Sequence, residues 1–161
     1  MTEFFTAHAY LFSQIFGFAA MGTAILTYQF NKQKTVNLIL MLVAALWCAH
    51  YACLGHVTPI VINLLNVLRA WIYAKRDRPW ANRKWIPAVF CAVAVVLMIV
   101  TWENALSLLP CAASVAASIA NWQTDTKKLR AFTVPVCVCW LTYNAFQSSV
   151  AGVANEAFTL V

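Results

Sequence analysis

The chain has 161 residues, 63% of them hydrophobic and 10% charged, with a mean hydropathy of +0.72 and a formal net charge of +6. A soluble domain would carry roughly a quarter of its residues as Asp, Glu, Lys and Arg, so composition excludes that class. At about 20 apolar residues per crossing, there is room for roughly six or seven membrane spans and no separate soluble domain.

Polar punctuation cuts the chain into apolar segments at 9–28, 37–54, 58–74, 85–102, 105–122, 131–148 and 150–161. Their long, unalternating runs read as helices, which satisfy their own backbone groups in lipid, and not as barrel strands. The first follows Glu3 and His8, not Lys or Arg, and more apolar segments come after it, so it is not a removable signal peptide. The fourth, "WIPAVFCAVAVVLMIVTW", holds no charged residue and reads as a lipid-facing spacer with Trp85 and Trp102 at the two interfaces. The fifth carries Ala112, Ala113, Ala116, Ala117 and Ala120, a small-residue spacing that lets helices approach closely, with Pro110 as a place where one turn could loosen. The seventh supplies about 18 Å of a roughly 30 Å core, so a short or truncated last helix is expected. The six cysteines all fall in apolar runs without a CxxC pair and read as buried hydrophobes.

The connections alternate in charge. Those at 29–36, 75–84 and 123–130 hold ten Lys and Arg residues, and the eleventh, Arg69, lies near the second of them. The other connections hold only His56 and Glu103. Basic loops stay in the cytoplasm, so the N-terminus is expected outside and these three loops inside. Arg69 is expected to snorkel to the headgroups. Topology thus accounts for the positive charge, with anionic lipid headgroups as its partner and no nucleic acid.

Displacing the chain by 93 positions puts Lys34 on Lys127, Trp47 on Trp140, Ala52 on Ala145, Val57 on Val150, Gly17 on Pro110 and Asn63 on Glu156. Three crossings end on the opposite side, so a second unit of the same orientation needs one further helix, which 85–102 supplies. The expected fold is an all-α membrane protein with a 3-1-3 arrangement of two parallel three-helix repeats, six full spans plus a short seventh. Its units are a first repeat at 1–75, a basic loop and linker helix at 76–104, and a second repeat at 105–161.

The stretches "WCAHYACLGHVTPIVINLLNVLR" (47–69) and "CWLTYNAFQSSVAGVANEAF" (139–158) resemble the paired motifs of the YgjV-type bacterial inner-membrane family. That family is similar in plan to the SWEET and PQ-loop transporters. The resemblance implies a central solute pathway between the bundles, lined by Asn63 and Trp47 from the first half and by Glu156 and Trp140 from the second. Two departures bear on the substrate. No Pro-Gln dipeptide ends the first helix, and Glu156 replaces one member of the Asn pair found in the sugar-carrying relatives.

Ionisable groups inside a membrane mark pathways, relays or counter-ions. Glu156 is therefore either a proton-carrying site or a wet residue near a terminus. His50, one turn after Trp47, either relays protons with Glu156 or bonds a neighbouring backbone carbonyl. Asn63 and Asn66 share a helix face with Arg69 and form either a wet pathway wall or interhelical bonds. Asn144, with Tyr143 and Gln147, invites the same two readings.

Two functions follow from the sequence. The first is a small SWEET-like transporter or facilitator of a small polar solute, proton-coupled if Glu156 and His50 titrate. The second is a non-transporting scaffold or regulatory subunit. No Ser-His-Asp or Cys-His arrangement and no carboxylate pair argues for an enzyme, and a single buried His excludes a bis-His haem. No cofactor or metal is expected, and a homo-oligomer is left open.

Overall fold

A computed structural model describes residues 2–123 and 126–160, with side chains described from residue 8 apart from 28, 126 and 130. Glu3 and Arg130, which entered the charge reading, have side chains outside the described set. The described residues form seven α-helices and no strand: α1 (Thr2–Ile25), α2 (Gln33–Leu54), α3 (Val57–Tyr73), α4 (Ile86–Val100), α5 (Leu108–Ala120), α6 (Thr126–Phe146) and α7 (Val150–Leu160). Helices α1, α2 and α6 begin earlier than the apolar segments do. Gln33, Lys34, Lys127 and Lys128 lie inside helices, because unbranched residues cost little there and their long stems carry the polar heads back to water.

Among the described residues one helix, α2, is by itself long and apolar enough to cross a membrane, while Val57–Tyr73, Ile86–Val100 and Ala105–Ala120 are shorter apolar helices. At 1.5 Å per residue, α3, α4 and α5 measure about 20–26 Å, under the roughly 30 Å of a bilayer core. Of the six full-length spans expected, α2 meets that length-and-composition criterion among the described residues. The basic loop between Ala74 and Trp85 and the Glu103–Asn104 corner end these helices sooner than hydropathy alone suggests.

Burial is inverted relative to a water-soluble fold. Ser13, His50, Asn63, Arg69, Asn144 and Glu156 are buried, while Leu11, Phe18, Leu64, Val96, Ile99 and Phe146 face outward. Helix α4 is the clearest case: Ile86, Phe90, Ala94 and Met98, four residues apart, pack on Ile62, Leu65 and Tyr73, and the opposite valine face is bare.

Helix α2 packs between α1 and α3, and α6 between α5 and α7. Helix α4 touches α3 and α5. The two groups meet through α1 against α7 and through α3 against α5.

The turns that end α2 and α6 share one geometry. Gly55 and His56 donate their N–H groups to the carbonyls of Ala52 and Tyr51, and Ser148 and Ser149 donate to Ala145 and Asn144. Gly55 has φ +77° and Ser148 φ +54°, the left-handed conformation of a helix C-terminus. Glycine adopts it freely, whereas Ser148 does so at a cost.

Candidate functional site

Between the two groups of helices lies a cavity of about 240 Å³, continuous in its lining with a smaller one of about 50 Å³. Trp47, Asn63, Trp140 and Glu156 border both. The larger cavity runs from these residues toward Thr27, Asn37, Tyr73 and Asn121, at the ends of helices that join the basic connections. The walls face each other in pairs 93 residues apart, among them Ala24 and Ala117, Val43 and Val136, Trp47 and Trp140, and Asn63 and Glu156. The smaller cavity is lined by three such pairs alone: Trp47 and Trp140, Tyr51 and Asn144, Asn63 and Glu156.

On the side away from the basic connections the smaller cavity is bordered by Tyr51 and Asn144. Tyr51 Oη donates to Asn144 Oδ1 at 2.8 Å, and both residues are 1% exposed. Tyr51 stacks between Trp47 (5.9 Å between centroids) and Trp140 (5.7 Å), and Tyr143 closes edge-on against it. Beyond this aromatic layer, the polar groups are paired across helices. His50 Nδ1 donates to the Ser13 carbonyl at 2.6 Å, which fixes the neutral tautomer, so Nε2 accepts from Ser149 Oγ at 3.0 Å. Ser149 Oγ also caps α7 by accepting the Gly152 N–H. Gln14 Oε1 takes the Ala151 N–H at 2.8 Å, and Glu103 Oε1 takes the equivalent Thr58 N–H at 2.9 Å.

These contacts decide several of the alternatives left by the sequence. His50 is fully buried, bonds a neighbouring carbonyl, and lines neither cavity, so no direct relay joins it to Glu156. Glu156 is 8% exposed and lines both cavities; its Oε1 accepts from Asn155 Nδ2 at 2.9 Å, with the Cys137 thiol beside it. Asn63 bonds the Pro59 carbonyl of its own helix, and Asn66 Oδ1 accepts from Ser114 Oγ of α5. Trp47, Asn63, Asn66, Trp140 and Glu156 thus border the larger space, and Asn144 the smaller one.

Arg69 does not snorkel. It is 5% exposed, and its Nη1 donates to the Ser114 carbonyl at 3.1 Å and to Ser118 Oγ at 3.0 Å. A guanidinium finds acceptors on the small-residue face of α5 at shorter reach than the headgroups offer. Sequence reasoning missed Tyr51 as well as these two serines. The serines stood hidden among alanines, and the displacement of 93 places Tyr51 on Asn144. Gly17 is a point of close approach: a Cβ there would lie 2.6 Å from Ala151 Cβ and 3.0 Å from His50 Nδ1. Pro110 sits in the first turn of α5, where its missing N–H costs no helical bond, so it loosens nothing.

A family of bacterial inner membrane proteins, Imp-YgjV, matches residues 11–161, and the chain belongs to it. No curated protein and no solved structure matches the chain.

Proposed function

We propose that this inner membrane protein is a small SWEET-like transporter or facilitator, non-enzymatic, that passes a small polar solute between two parallel three-helix units. The units are α1–α3 and α5–α7, with α4 as the linker that restores orientation. The carrying observation is the smaller cavity, whose lining consists of three residue pairs 93 apart and whose floor is the Tyr51–Asn144 bond. Such pairing is what two similar units facing one another across a common axis would produce.

In this reading the basic connections are cytoplasmic and the N-terminus is outside. The cavity then lies toward the cytoplasm, and the aromatic layer with Tyr51 and Asn144 is the closed outer gate. Trp47, Asn63, Asn66, Trp140 and Glu156 line the path, and His50 serves as a strut behind the gate. At about 30 Å³ per water, the larger cavity admits a solute displacing roughly eight waters. Glu156, with its carboxyl at the junction of the two cavities, is the group that would carry a proton if transport is coupled.

The test is flux into liposomes holding the purified protein against protein-free vesicles, across a set of small polar solutes. Faster flux that Asn63→Ala and Glu156→Ala each remove supports the reading. Flux indifferent to both changes sinks the site, and co-purification of a stoichiometric partner without any flux favours the scaffold role.

A further inference from the structure

Two donors at the wall of the larger cavity, on Arg69 and Asn37, lack full partners among the described residues. Arg69 places a guanidinium, with five N–H donors, at its wall, and acceptors among the described residues engage Nη1 alone. Among the described residues no carboxylate lies within ion-pair distance of it. A buried cation without a counter-ion is costly, and proteins retain one where it meets water or a ligand. A second, independent observation points the same way. Asn37, 1% exposed, lines the same cavity, and its Nδ2 is a buried donor with no partner among the described residues.

We infer that the cavity takes a solute bearing a carboxylate, which docks on the guanidinium of Arg69 with the amide of Asn37 as a further donor. The inference rests on the transport reading above and names the chemical class of its solute. A planar guanidinium is the side chain best matched to a carboxylate, since two parallel N–H groups meet two oxygens. Arg69 lies six residues beyond Asn63 on α3, about 9 Å along the helix toward the basic connections. Glu156, the acidic group of the cavity, borders its deeper end, where the smaller cavity begins. An entering anion therefore meets the cation first. A neutral sugar would satisfy neither the free edge of Arg69 nor its charge.

The experiment measures thermal unfolding of the detergent-solubilised full chain with acetate, glycine or glucose, against sodium chloride at matched ionic strength. Intrinsic emission of the seven tryptophans, of which Trp47 and Trp140 border the cavity, serves as a second readout. Acetate and glycine are expected to raise the unfolding midpoint with concentration, and glucose and chloride to leave it unchanged. An effect of glycine alone assigns the carboxylate to a zwitterion and still supports the inference. Arg69→Gln is expected to weaken the carboxylate response at least tenfold and Arg69→Lys to weaken it less. Should Arg69→Gln fail to fold, Asn37→Leu decides: it removes an unpaired donor, so the ligand-free protein should become more stable while carboxylates bind several-fold more weakly. A larger effect of glucose than of carboxylates, no carboxylate effect at all, or full binding by Arg69→Gln overturns the inference. Carboxylate binding without any flux would instead sink the transport reading and leave this one standing.

Discussion

Replacing Tyr51 by Phe removes one hydroxyl and keeps the ring that stacks on Trp47 and Trp140. The bond it breaks joins two residues that are each 1% exposed, so Asn144 Oδ1 would be left buried without a donor. Stranding a buried acceptor costs about 1–3 kcal/mol, equivalent to roughly 5- to 150-fold in an equilibrium. If the bond holds the outer gate, that cost falls on the closed state alone and the open state gains population. Cys137 offers a reporter, since it borders the larger cavity and is 2% exposed. With Cys48, Cys53, Cys91, Cys111 and Cys139 replaced by alanine, an impermeant maleimide should reach Cys137 in inverted vesicles and scarcely at all in right-side-out ones. Tyr51→Phe should raise the outside labelling rate by about 5- to 150-fold. The double change Tyr51→Phe with Asn144→Leu removes both polar partners and should return the rate toward its starting value. A lower unfolding temperature with no change in outside labelling would refute the gate and leave the bond as a piece of packing.

Gly17→Ala and Gly152→Ala should each cost about 1–3 kcal/mol, because the new methyl meets Ala151 and His50 in one case and the Asn144 amide in the other. Gly22→Ala, with nothing within 4 Å, should instead stabilise by about 0.5–1 kcal/mol, and thermal unfolding of the three together tests the packing of α7. Ser148→Gly should stabilise by about 1 kcal/mol by relieving a left-handed backbone, while Gly55→Ala should destabilise by a similar amount; equal effects of one sign would contradict the shared turn geometry. Glu156→Gln should abolish any dependence of flux on a pH gradient while leaving downhill flux measurable, and a pH-driven flux that persists assigns the proton to another group.

Much of the helix count was legible because lipid makes hydrophobicity continuous along each segment, and polar loops interrupt it sharply. Helix ends were less so. Lys34, Lys127 and Lys128 continue their helices into the polar zone, where hydropathy marks a loop but the backbone gains more by staying helical. The displacement of 93 seen in Lys34 with Lys127 and Trp47 with Trp140 also separates the residues that face each other in the cavity, which is why Asn63 and Glu156 were found together. The partner of Arg69 was not legible. Snorkelling is a good rule for a cation near a helix end, but it assumes lipid on that side of the helix, and α5 stands there with Ser114 and Ser118. The same holds for His50, whose partners, Ser13 in the middle of α1 and Ser149 at the start of α7, are brought close by the packing of α1 on α7.

The Tyr51–Asn144 bond bears on how such a chain could arise. A residue lying on the axis of two like halves meets its own counterpart, so in a dimer of identical half-length chains both sides would have to be the same residue. Two tyrosines would crowd the axis with two rings, and two asparagines would give up the stacked ring between the tryptophans. A complementary pair, large donor against small acceptor, becomes available only when the halves are encoded separately. On the two-unit reading proposed above, a single chain is free to hold this unlike pair, Tyr51 against Asn144, where a dimer of identical half-length chains would not be.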